Sequence, residues 1–270
     1  MNKKLFLEKI STNFPFSFTK EQEKIINELS DYILSTSTRN IFLLKGYAGT
    51  GKTTLISALV KSLSSVNKKP SLLAPTGRAA KVLANYAKKS ASTIHRKIYW
   101  INTNKQGNTY IKLKENTHTN TIFIVDEASM IPKSSDKGFA NRSLLDDLIE
   151  YVYDGVGCKL VLIGDTAQLP PVHLDISPAL DEALLTINYN KEIICASLVE
   201  VVRQIKSSTI LLNATRIRKQ ISNQQFHLPQ LETSEDVIRI QSGDELQGYL
   251  EDNYSQSRIA NTIVLCRSNK

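Results

Sequence analysis

A glycine-rich run between a strand-like and a helix-like segment constrains this chain more than any other feature. Residues 46–53 read GYAGTGKT and match G-x-x-x-x-G-K-[ST] at every specified position. Residues 41–44 (IFLL) suit a buried strand, and residues 55–60 (LISALV) suit a helix. Glycines at these positions let successive backbone N–H groups curl around phosphate oxygens at the start of a helix. The run therefore predicts a strand–loop–helix unit that binds a nucleoside triphosphate.

Residue types within this phosphate-binding loop indicate how the nucleotide is held. Lys52 is expected to reach the β- and γ-phosphates, and the Thr53 hydroxyl is expected to ligate Mg²⁺. The other residues here that we predict to bind ATP are Gly46, Ala48, Gly49, Thr50, Gly51 and Thr54. ATP and Mg²⁺ are therefore the predicted ligands, and the spacing of His and Cys along the chain predicts no further metal site.

A second apolar run ends in adjacent carboxylates. Residues 121–125 (TIFIV) read as a buried strand followed by Asp126 and Glu127. Asp126 can hold the Mg²⁺ that Thr53 also touches, and Glu127 can orient and deprotonate an attacking water. This arrangement indicates hydrolysis of the triphosphate rather than transfer of a phosphoryl group to a substrate hydroxyl.

A third apolar run is followed by a polar turn. Residues 159–163 (KLVLI) precede a turn that carries Gln168, and two prolines stiffen the exit from this turn. Gln168 can sense a γ-phosphate through a hydrogen bond that is lost on hydrolysis. We expect five side chains from separate strand ends to converge on one magnesium-bound triphosphate: Lys52, Thr53, Asp126, Glu127 and Gln168.

The order of these motifs resembles that of superfamily 1 DNA helicases of the RecD/Dda-like branch. Residues 124–130 (IVDEASM) resemble motif II, residues 164–171 (GDTAQLPP) resemble motif III, and the phosphate-binding loop resembles motif I. The resemblance runs in order over about residues 15–205. It implies a RecA-like ATPase that couples hydrolysis to movement on single-stranded DNA with 5′-to-3′ polarity.

Two shorter stretches extend the resemblance around the nucleotide. Residues 18–22 (FTKEQ) resemble the adenine-reading segment of the family, which implies that Gln22 grips the base. Residues 201–204 (VVRQ) resemble motif IV, which implies that Arg203 reaches the γ-phosphate. Both roles are implied by the resemblance alone.

Two further stretches resemble the strand-contacting motifs of the family. They are residues 74–80 (APTGRAA) and residues 92–96 (STIHR). The resemblance implies that single-stranded DNA, or a junction of single- and double-stranded DNA, contacts Pro75, Thr76, Gly77, Arg78, Thr93 and His95. Compact donors of this kind suit phosphates and sugars, and a glycine backbone can approach them closely.

Basic residues concentrate in one part of the chain. From Tyr32 to Lys114 the sequence contains 15 Lys or Arg and no Asp or Glu. The remaining residues carry 19 Lys or Arg against 26 Asp or Glu, although the whole chain has a net charge of +8. Such asymmetry indicates a polyanionic partner that approaches one face. A strongly basic solvated surface without a partner is the alternative.

Residues 97–115 interrupt the alternation of strands and helices and predict an inserted β-hairpin. Two β-prone runs, 98–101 (IYWI) and 110–113 (YIKL), flank turn-rich residues. The family resemblance implies a pin that splits duplex DNA. We hypothesise that Trp100 or Tyr99 stacks on, or supports, the point of strand separation. Packing of Trp100 against the domain is the alternative.

The predicted fold class is α/β, with a RecA-like domain built on a parallel sheet flanked by helices. Four apolar runs predict parallel strands near 41–45, 71–74, 121–125 and 159–163, and helical spacing predicts an amphipathic helix over 20–34. We place this domain at residues 1–195 and the start of a second RecA-like domain at residues 196–270. The elements predicted in the second domain are strands near 198–202, 237–240 and 262–266 and helices over 208–220 and 244–254.

The sequence ends at Lys270, where the resemblance leads us to expect the rest of the second domain with motifs V and VI. We therefore expect a fragment that binds ATP and single-stranded DNA, hydrolyses ATP slowly and does not act as a motor. Two other functions stay open. One is a different P-loop ATPase acting on nucleic acid, such as a loader or a partition-type protein, and the other is a nucleotide- and DNA-binding module without motor activity.

Composition adds two expectations about the surroundings of the protein. No apolar run approaches the ~20 residues needed to cross a membrane, so no membrane partner is predicted. Three widely spaced cysteines in apolar contexts predict reduced thiols and a cytoplasmic protein.

Overall fold

Two compact units divide the chain. The computed structural model describes residues 2–103, 109–132, 143–171, 174, 176–202, 208–225, 227–256 and 262–265. The first unit is Met1–Gln204 and the second is Ile205–Lys270. The domain boundary predicted at 195/196 falls inside a strand of the first unit, Glu192–Leu198.

A six-stranded parallel sheet forms the centre of the first unit, with the strand order β3-β2-β6-β7-β1-β8. Its strands are β1 (Asn40–Gly46), β2 (Lys69–Ala74), β3 (Ala91–Thr93), β6 (Thr121–Val125), β7 (Lys159–Gly164) and β8 (Glu192–Leu198). Every residue of β6 and β7 is buried. Strands covered on both faces read as continuous apolar runs, which is why the four predicted strands are confirmed.

Helices cover both faces of this sheet. The helices of the first unit are α1 (Lys3–Asn13), α2 (Lys20–Leu34), α3 (Lys52–Ser62), α4 (Gly77–Ala87), α5 (Ile94–Ile98), α6 (Leu144–Asp154) and α7 (Glu182–Tyr189). Along β1, Phe42 and Leu44 join one core with α1 to α4, whereas Ile41 and Leu43 join a second core with α5 to α7. This alternation follows from the two-residue period of a strand. The predicted α/β fold with a parallel sheet flanked by helices is confirmed.

Two strands at the edges of the sheet differ from the prediction. β3 is three residues long and carries no apolar run that periodicity could detect. β8 pairs with β1 from Asn40 opposite Glu192 to Gly46 opposite Leu198, so the strand predicted near 198–202 is wrong. Because β8 belongs to this sheet, the first unit continues past residue 195.

The predicted hairpin is present. It consists of β4 (Tyr99–Thr103) and β5 (Thr109–Leu113), which pair in antiparallel fashion with Trp100 opposite Lys112. The backbone N–H of Lys114 donates to the Ile98 carbonyl at 2.7 Å and closes the base of the hairpin. Tyr99 is buried, and its hydroxyl donates to the Asp147 carboxylate of α6 at 2.7 Å. Tyr99 therefore anchors the hairpin to the first unit.

The second unit contains two helices in its described part, α8 (Thr209–Ser222) and α9 (Gly243–Gln256), which confirms both predicted helices. The strands predicted near 237–240 and 262–266 are wrong for the residues described there, since only an isolated bridge joins Ser234 to Val237. β-prone side chains form a strand only when a neighbouring strand completes the backbone hydrogen bonds. Assignment of this unit to a second RecA-like domain stays a prediction.

Over the ranges given above, the structure contains no helix with the length and apolar character that spanning a bilayer requires.

Tyr32 supplies a test of how β7 is anchored. Its hydroxyl lies within the core, donates to the Leu160 carbonyl at 2.7 Å and accepts from the Leu160 N–H at 3.0 Å. Tyr32→Phe keeps the ring and removes both hydrogen bonds from a buried peptide group. We expect the free energy of unfolding to fall by about 1–3 kcal/mol, as measured by urea denaturation of the first unit.

The exposed Tyr86 provides the matched control. Tyr86→Phe is expected to change the free energy of unfolding by less than about 0.5 kcal/mol. Equal losses in the two variants would contradict an anchoring role for the Tyr32 hydroxyl.

Candidate nucleotide site and nucleic-acid surface

The loop between β1 and α3 adopts a conformation that requires glycine at two positions. Gly49 and Gly51 have φ angles of +84° and +85°, which lie in the left-handed region. A Cβ atom on Gly51 would also lie 2.8 Å from Nε2 of Gln22. Gly51, which the motif specifies, and Gly49, which stands at an unspecified position, therefore shape the loop, and Gly51 also leaves room for the Gln22 side chain.

Lys52 begins α3, and its ammonium group lies at the mouth of the loop. Nζ of Lys52 donates to the carbonyl oxygens of Gly46 at 2.6 Å and Tyr47 at 2.8 Å. The backbone N–H groups of the first helical turn have no acceptor within the helix and point toward its N-terminal end. An ammonium group and several N–H donors at one helix end form a site for a phosphate group.

A cavity of about 720 Å³ opens beside this loop and brings together residues from every predicted nucleotide motif. The predicted site residues that line it are Gln22, Ala48, Gly49, Gly51, Lys52, Thr53, Thr54, Asp126, Glu127 and Gln168. The other two predicted residues of the loop, Gly46 and Thr50, contribute backbone carbonyl groups, which accept hydrogen bonds from Lys52 and Gln22 respectively. Arg203 lies outside the described residues. The expected convergence of strand ends is therefore found for the predicted residues that the structure describes.

Gln22 is held by hydrogen bonds at both ends of its amide. Its Oε1 atom accepts from the Thr19 backbone N–H at 3.1 Å in a capping box at the start of α2. Its Nε2 atom donates to the Thr50 carbonyl at 3.2 Å. A primary amide has two donor hydrogens and two acceptor lone pairs, so each end keeps the capacity for one further bond. Gln22 thus ties the start of α2 to the phosphate-binding loop and also lines the cavity.

Asp126 and Glu127 follow β6 and face the cavity. Burial, together with the adjacent Glu127 carboxylate, raises the pKa of Asp126 to about 6, although the Glu127 N–H and Lys52 oppose this rise. Glu127 itself has the left-handed backbone conformation, with φ of +56°, and begins a short 3-10 turn over Ala128–Met130. A non-glycine residue in this conformation is uncommon and is concentrated at functional sites.

The donor set near the phosphate-binding loop fits a hydrated Mg²⁺ ion. Mg²⁺ prefers oxygen ligands and commonly takes one or two from the protein, with the rest from phosphates and water. Thr53 and Asp126 supply a hydroxyl and a carboxylate on the same cavity wall. The raised pKa of Asp126 reflects a carboxylate whose charge is poorly compensated, and a cation would compensate it.

Gln168 is connected to the strand end that carries the carboxylates. Its Oε1 atom accepts from the Ser129 hydroxyl at 2.8 Å, and Ser129 is buried. Ser129 lies in the 3-10 turn that follows Glu127. A side-chain hydrogen bond thus joins the segments that follow β6 and β7. Because this bond fixes the side-chain carbonyl of Gln168, it also sets the orientation of the NH₂ group on the same amide.

Asp165 was not among the predicted site residues, yet it holds the loop in place. One carboxylate oxygen accepts from the Ala48 N–H at 3.0 Å, and the other accepts from the Ala167 N–H at 2.8 Å. Asp165 is buried and lines the same cavity. Its position directly after β7, in the turn that carries Gln168, was the available sequence signal.

Aromatic residues form another part of the cavity that the sequence prediction missed. Phe14 is buried and stacks on Phe18 with ring centroids 4.2 Å apart, and Phe16 contacts Phe14 edge-on at 6.2 Å. Phe14, Phe16 and Tyr86 line the cavity together with Gln22. Flat apolar surfaces beside the Gln22 amide suit a planar heterocycle. The spacing of Phe14, Phe16 and Phe18 was visible in the sequence, but alternation alone does not separate a ligand wall from a core.

A second cavity of about 440 Å³ lies against the first and is lined by two of the predicted nucleic-acid residues, Thr76 and Arg78. The two cavities share Asp126, Glu127 and Gln168 as walls. Thr76 caps α4 by accepting from the Ala79 N–H, while the position of Gly77 is open to solvent. Pro75 lies between Ala74, at the end of β2, and Thr76.

Thr93 and His95 lie on the strand beside β2 and on the helix that follows it. Thr93 ends β3 directly opposite Ala74 in the register, and its hydroxyl caps α5 by accepting from the Arg96 N–H at 3.2 Å. The His95 ring lies 5.8 Å from the Tyr99 ring at the base of the hairpin. The predicted nucleic-acid residues on β2, β3, α4 and α5 therefore share one edge of the sheet.

Trp100 is 59% exposed on the hairpin, and Nζ of Lys114 lies 4.7 Å from the centre of its ring. An indole with one face toward solvent and a cation nearby is available to a nucleic-acid base. The buried Tyr99, rather than Trp100, packs the hairpin onto the first unit. The hypothesis that Tyr99 itself stacks on DNA is therefore disfavoured by its burial.

The raised pKa of Asp126 predicts a pH-dependent stability. Because its pKa is about 6 in the folded protein and near 4 when unfolded, the folded state binds more protons between these values, and stability falls as the pH rises through them. Asp126→Asn removes this penalty. At pH 7.5 without Mg²⁺ we expect the free energy of unfolding of the variant to exceed that of the unsubstituted chain by about 3 kcal/mol.

The same variant should have little advantage at pH 4, because the folded state is protonated at this position and the unfolded state is about half protonated, so that little of the penalty remains. Urea denaturation at pH 4, 6 and 7.5 measures the difference. A variant that is destabilised equally at all three pH values would contradict the assigned burial of charge.

Comparison with known proteins finds one matching family model and several similar helicases. A family model for an AAA domain, AAA_30, matches residues 17–244. The RecD2 DNA helicase of Deinococcus radiodurans is 30% identical over 154 residues, which cover 57% of this chain and 18% of that helicase. The Dda helicase of phage T4 is 32% identical over 132 residues, which cover 48% of this chain and 28% of that helicase.

A solved Pif1 helicase from Bacteroides aligns with a TM-score of 0.47 and 19% identity, over 90% of this chain and 58% of that chain. The match to this chain spans less than a third of the length of RecD2 or Dda. The chain belongs to the AAA_30 family of AAA-domain proteins, and parts of it are similar to the RecD2 and Dda helicases.

Proposed function

We propose that this chain binds and hydrolyses ATP with Mg²⁺ and couples hydrolysis to movement on single-stranded DNA, with 5′-to-3′ polarity. One observation carries the proposal: the phosphate-binding loop, Asp126, Glu127 and Gln168 line a single cavity. Relatives that include RecD2, Dda and a yeast protein of this branch are named ATP-dependent DNA helicases, which supports the same activity here.

Each catalytic residue has a role that follows from its position. Lys52 leaves its carbonyl partners and pairs with the β- and γ-phosphates, where its charge stabilises the transferred group. Glu127 orients and deprotonates the attacking water, and Gln168 donates its NH₂ group to the γ-phosphate. Thr53 and Asp126 would hold Mg²⁺, which would supply neutralisation of the phosphate charge. Arg203 completes the phosphate contacts that the family resemblance implies.

The base of the nucleotide occupies the part of the cavity formed by aromatic residues. Gln22 keeps one donor and one acceptor site for the base edge, and the rings of Phe14, Phe16 and Tyr86 supply apolar surface. A purine presents both a donor and an acceptor on its edge, so it matches the free capacity of a glutamine amide. This arrangement accommodates the adenine of ATP.

Single-stranded DNA is the proposed partner of the edge formed by β2, β3 and the hairpin. The residues there that carry or position this contact are Pro75, Thr76, Gly77, Arg78, Thr93, His95 and Trp100. Arg78, Lys81, Lys88 and Lys89 are exposed on or beside α4 and add positive charge along it. A basic surface with an exposed aromatic ring is suited to phosphates and bases of an unpaired strand.

A second candidate is a nucleotide- and DNA-binding module without motor activity. The observation that favours it is the described part of the second unit, which contains two helices and no strand. ATP turnover measured with and without single-stranded DNA separates the candidates. Turnover that DNA raises supports a coupled ATPase, whereas binding of both ligands without turnover supports the module.

Glu127→Gln tests the hydrolytic role directly. Glutamine keeps the shape of the side chain but cannot accept a proton, so we expect kcat to fall about 10²–10⁴-fold. The affinity for ATP, measured by equilibrium binding, is expected to change little. Glu115→Gln is the control, because Glu115 is exposed and lines neither cavity. Loss of ATP binding with Glu127→Gln would contradict a role confined to hydrolysis.

Trp100→Ala tests the contact with a DNA junction. Base stacking on an aromatic ring is worth about 1–3 kcal/mol, so we expect affinity for a forked DNA to fall about tenfold. Stimulation of ATP turnover by single-stranded DNA is expected to persist. Trp100→Phe should retain much of the fork affinity, and Ile101→Ala, at an exposed neighbouring position, should retain nearly all of it. A variant with lower unfolding free energy and unchanged fork affinity would favour packing.

A further inference from the structure

Glu21 holds the chain at the point where it leaves the central sheet. One oxygen of the Glu21 carboxylate accepts from the backbone N–H of Val199 at 2.9 Å and from that of Glu200 at 3.0 Å. These two residues come directly after Leu198, the last residue of β8. Hydrogen bonds to an ionised carboxylate are about twice as strong as neutral ones. The start of α2 therefore fixes the direction of the chain after the strand.

The same exit segment, residues 199–202, contacts the phosphate-binding loop. The Val202 N–H donates to the Gly49 carbonyl at 3.2 Å, and a Cβ on Gly51 would lie 3.3 Å from Cγ2 of Val202. Val202 also lines the nucleotide cavity. The segment is thus attached at one end to Glu21 and at the other to the loop that is expected to bind phosphate.

Glu21 and Gln22 are neighbours on the first turn of α2, and they contact the exit segment and the phosphate-binding loop respectively. Gln22 donates to the Thr50 carbonyl in the loop, and Glu21 accepts from the exit segment. The Tyr47 N–H donates to the Leu198 carbonyl at 3.3 Å and adds a further link between loop and strand end. These contacts link α2, the phosphate-binding loop and the exit segment to one another. Movement of the loop therefore changes the position of the exit segment.

We propose that Glu21 is a positioning residue that couples nucleotide occupancy of the phosphate-binding loop to the placement of residues 199–202. The inference rests on the proposed nucleotide site and deepens it. Arg203, which the family resemblance assigns to the γ-phosphate, follows Val202 directly in the chain. Glu21 therefore acts on the segment that leads to this arginine without contacting the nucleotide itself.

Thermodynamic linkage gives the coupling two readouts. If nucleotide on the loop stabilises the Val202–Gly49 hydrogen bond, then a fixed exit segment must raise nucleotide affinity by the same factor. Removing the Glu21 carboxylate frees the segment and weakens both effects. A role limited to general stability would lower the unfolding free energy but would not change the response of Val202 to nucleotide.

Hydrogen exchange of the backbone amides is the primary experiment, performed on the full chain with and without a non-hydrolysable ATP analogue and Mg²⁺. In Glu21→Ala we expect the Val199 and Glu200 amides to exchange at least about tenfold faster than in the unsubstituted chain. Nucleotide should slow exchange at Val202 in the unsubstituted chain and should do so much less in the variant. Glu21→Gln keeps an acceptor oxygen at this position and should restore most of the protection.

Glu23→Ala is the matched control, because Glu23 lies in the same helical turn, carries the same charge and is exposed. Its exchange rates and nucleotide response are expected to match those of the unsubstituted chain. Equilibrium binding of the analogue should be weakened at least about fivefold by Glu21→Ala and not by Glu23→Ala. Thermal melting of each variant identifies any that fail to fold. If Glu21→Ala does not fold, Glu21→Met, which fills similar space without an acceptor oxygen, carries the comparison.

Several results would overturn the coupling. They are unchanged exchange at Val199 and Glu200 in Glu21→Ala, an unchanged nucleotide response at Val202, or equal affinities for the analogue in all variants. Absence of analogue binding by the unsubstituted chain would instead overturn the proposed function, and the coupling with it. Faster exchange at Val199 and Glu200 with a normal nucleotide response would leave Glu21 as a local cap and would reject coupling.

Discussion

The Asp165 carboxylate connects the two strand ends on which the site depends. It accepts from Ala48 in the phosphate-binding loop and from Ala167 in the turn after β7. The adjacent pairing of β1 with β7 places these N–H groups within reach of one buried side chain. In the same turn, the side-chain carbonyl of Gln168 accepts a hydrogen bond from the hydroxyl of Ser129, which lies beyond the end of β6. A series of hydrogen bonds therefore runs across three strand ends and links the phosphate-binding loop, the Gln168 amide and the turn that follows Glu127.

This arrangement carries local costs that the rest of the fold offsets. Asp126 is placed where burial and a neighbouring carboxylate disfavour its charged form, and Glu127 has a backbone conformation that is uncommon outside glycine. Together such features cost on the order of a few kcal/mol. The two cores on either face of the sheet supply the compensating stability. Departure from the locally preferred state is common at sites that must bind a highly charged ligand.

The sequence predicted the centre of the site because its signals are local and strong. A glycine pattern between a strand and a helix, and polar residues directly after buried strands, need no knowledge of distant contacts. Asp165 and Glu21 were missed because their roles depend on backbone N–H groups 117 and 178 residues away in the chain, respectively. β3 was too short to detect, and the strand predictions at 237–240 and 262–266 followed residue preference without a pairing partner.

The two cavities of the first unit share lining residues, so a ligand in one cavity can affect the other through direct contacts. Asp126, Glu127 and Gln168 face both the nucleotide cavity and the cavity lined by Thr76 and Arg78. Packed side chains transmit displacement because close-packed interiors have little free volume. A ligand that shifts Gln168 from one side changes its bond to Ser129, and with it the position of the carboxylates on the other side. Coupling between sites therefore requires no long chain of intermediates in this fold.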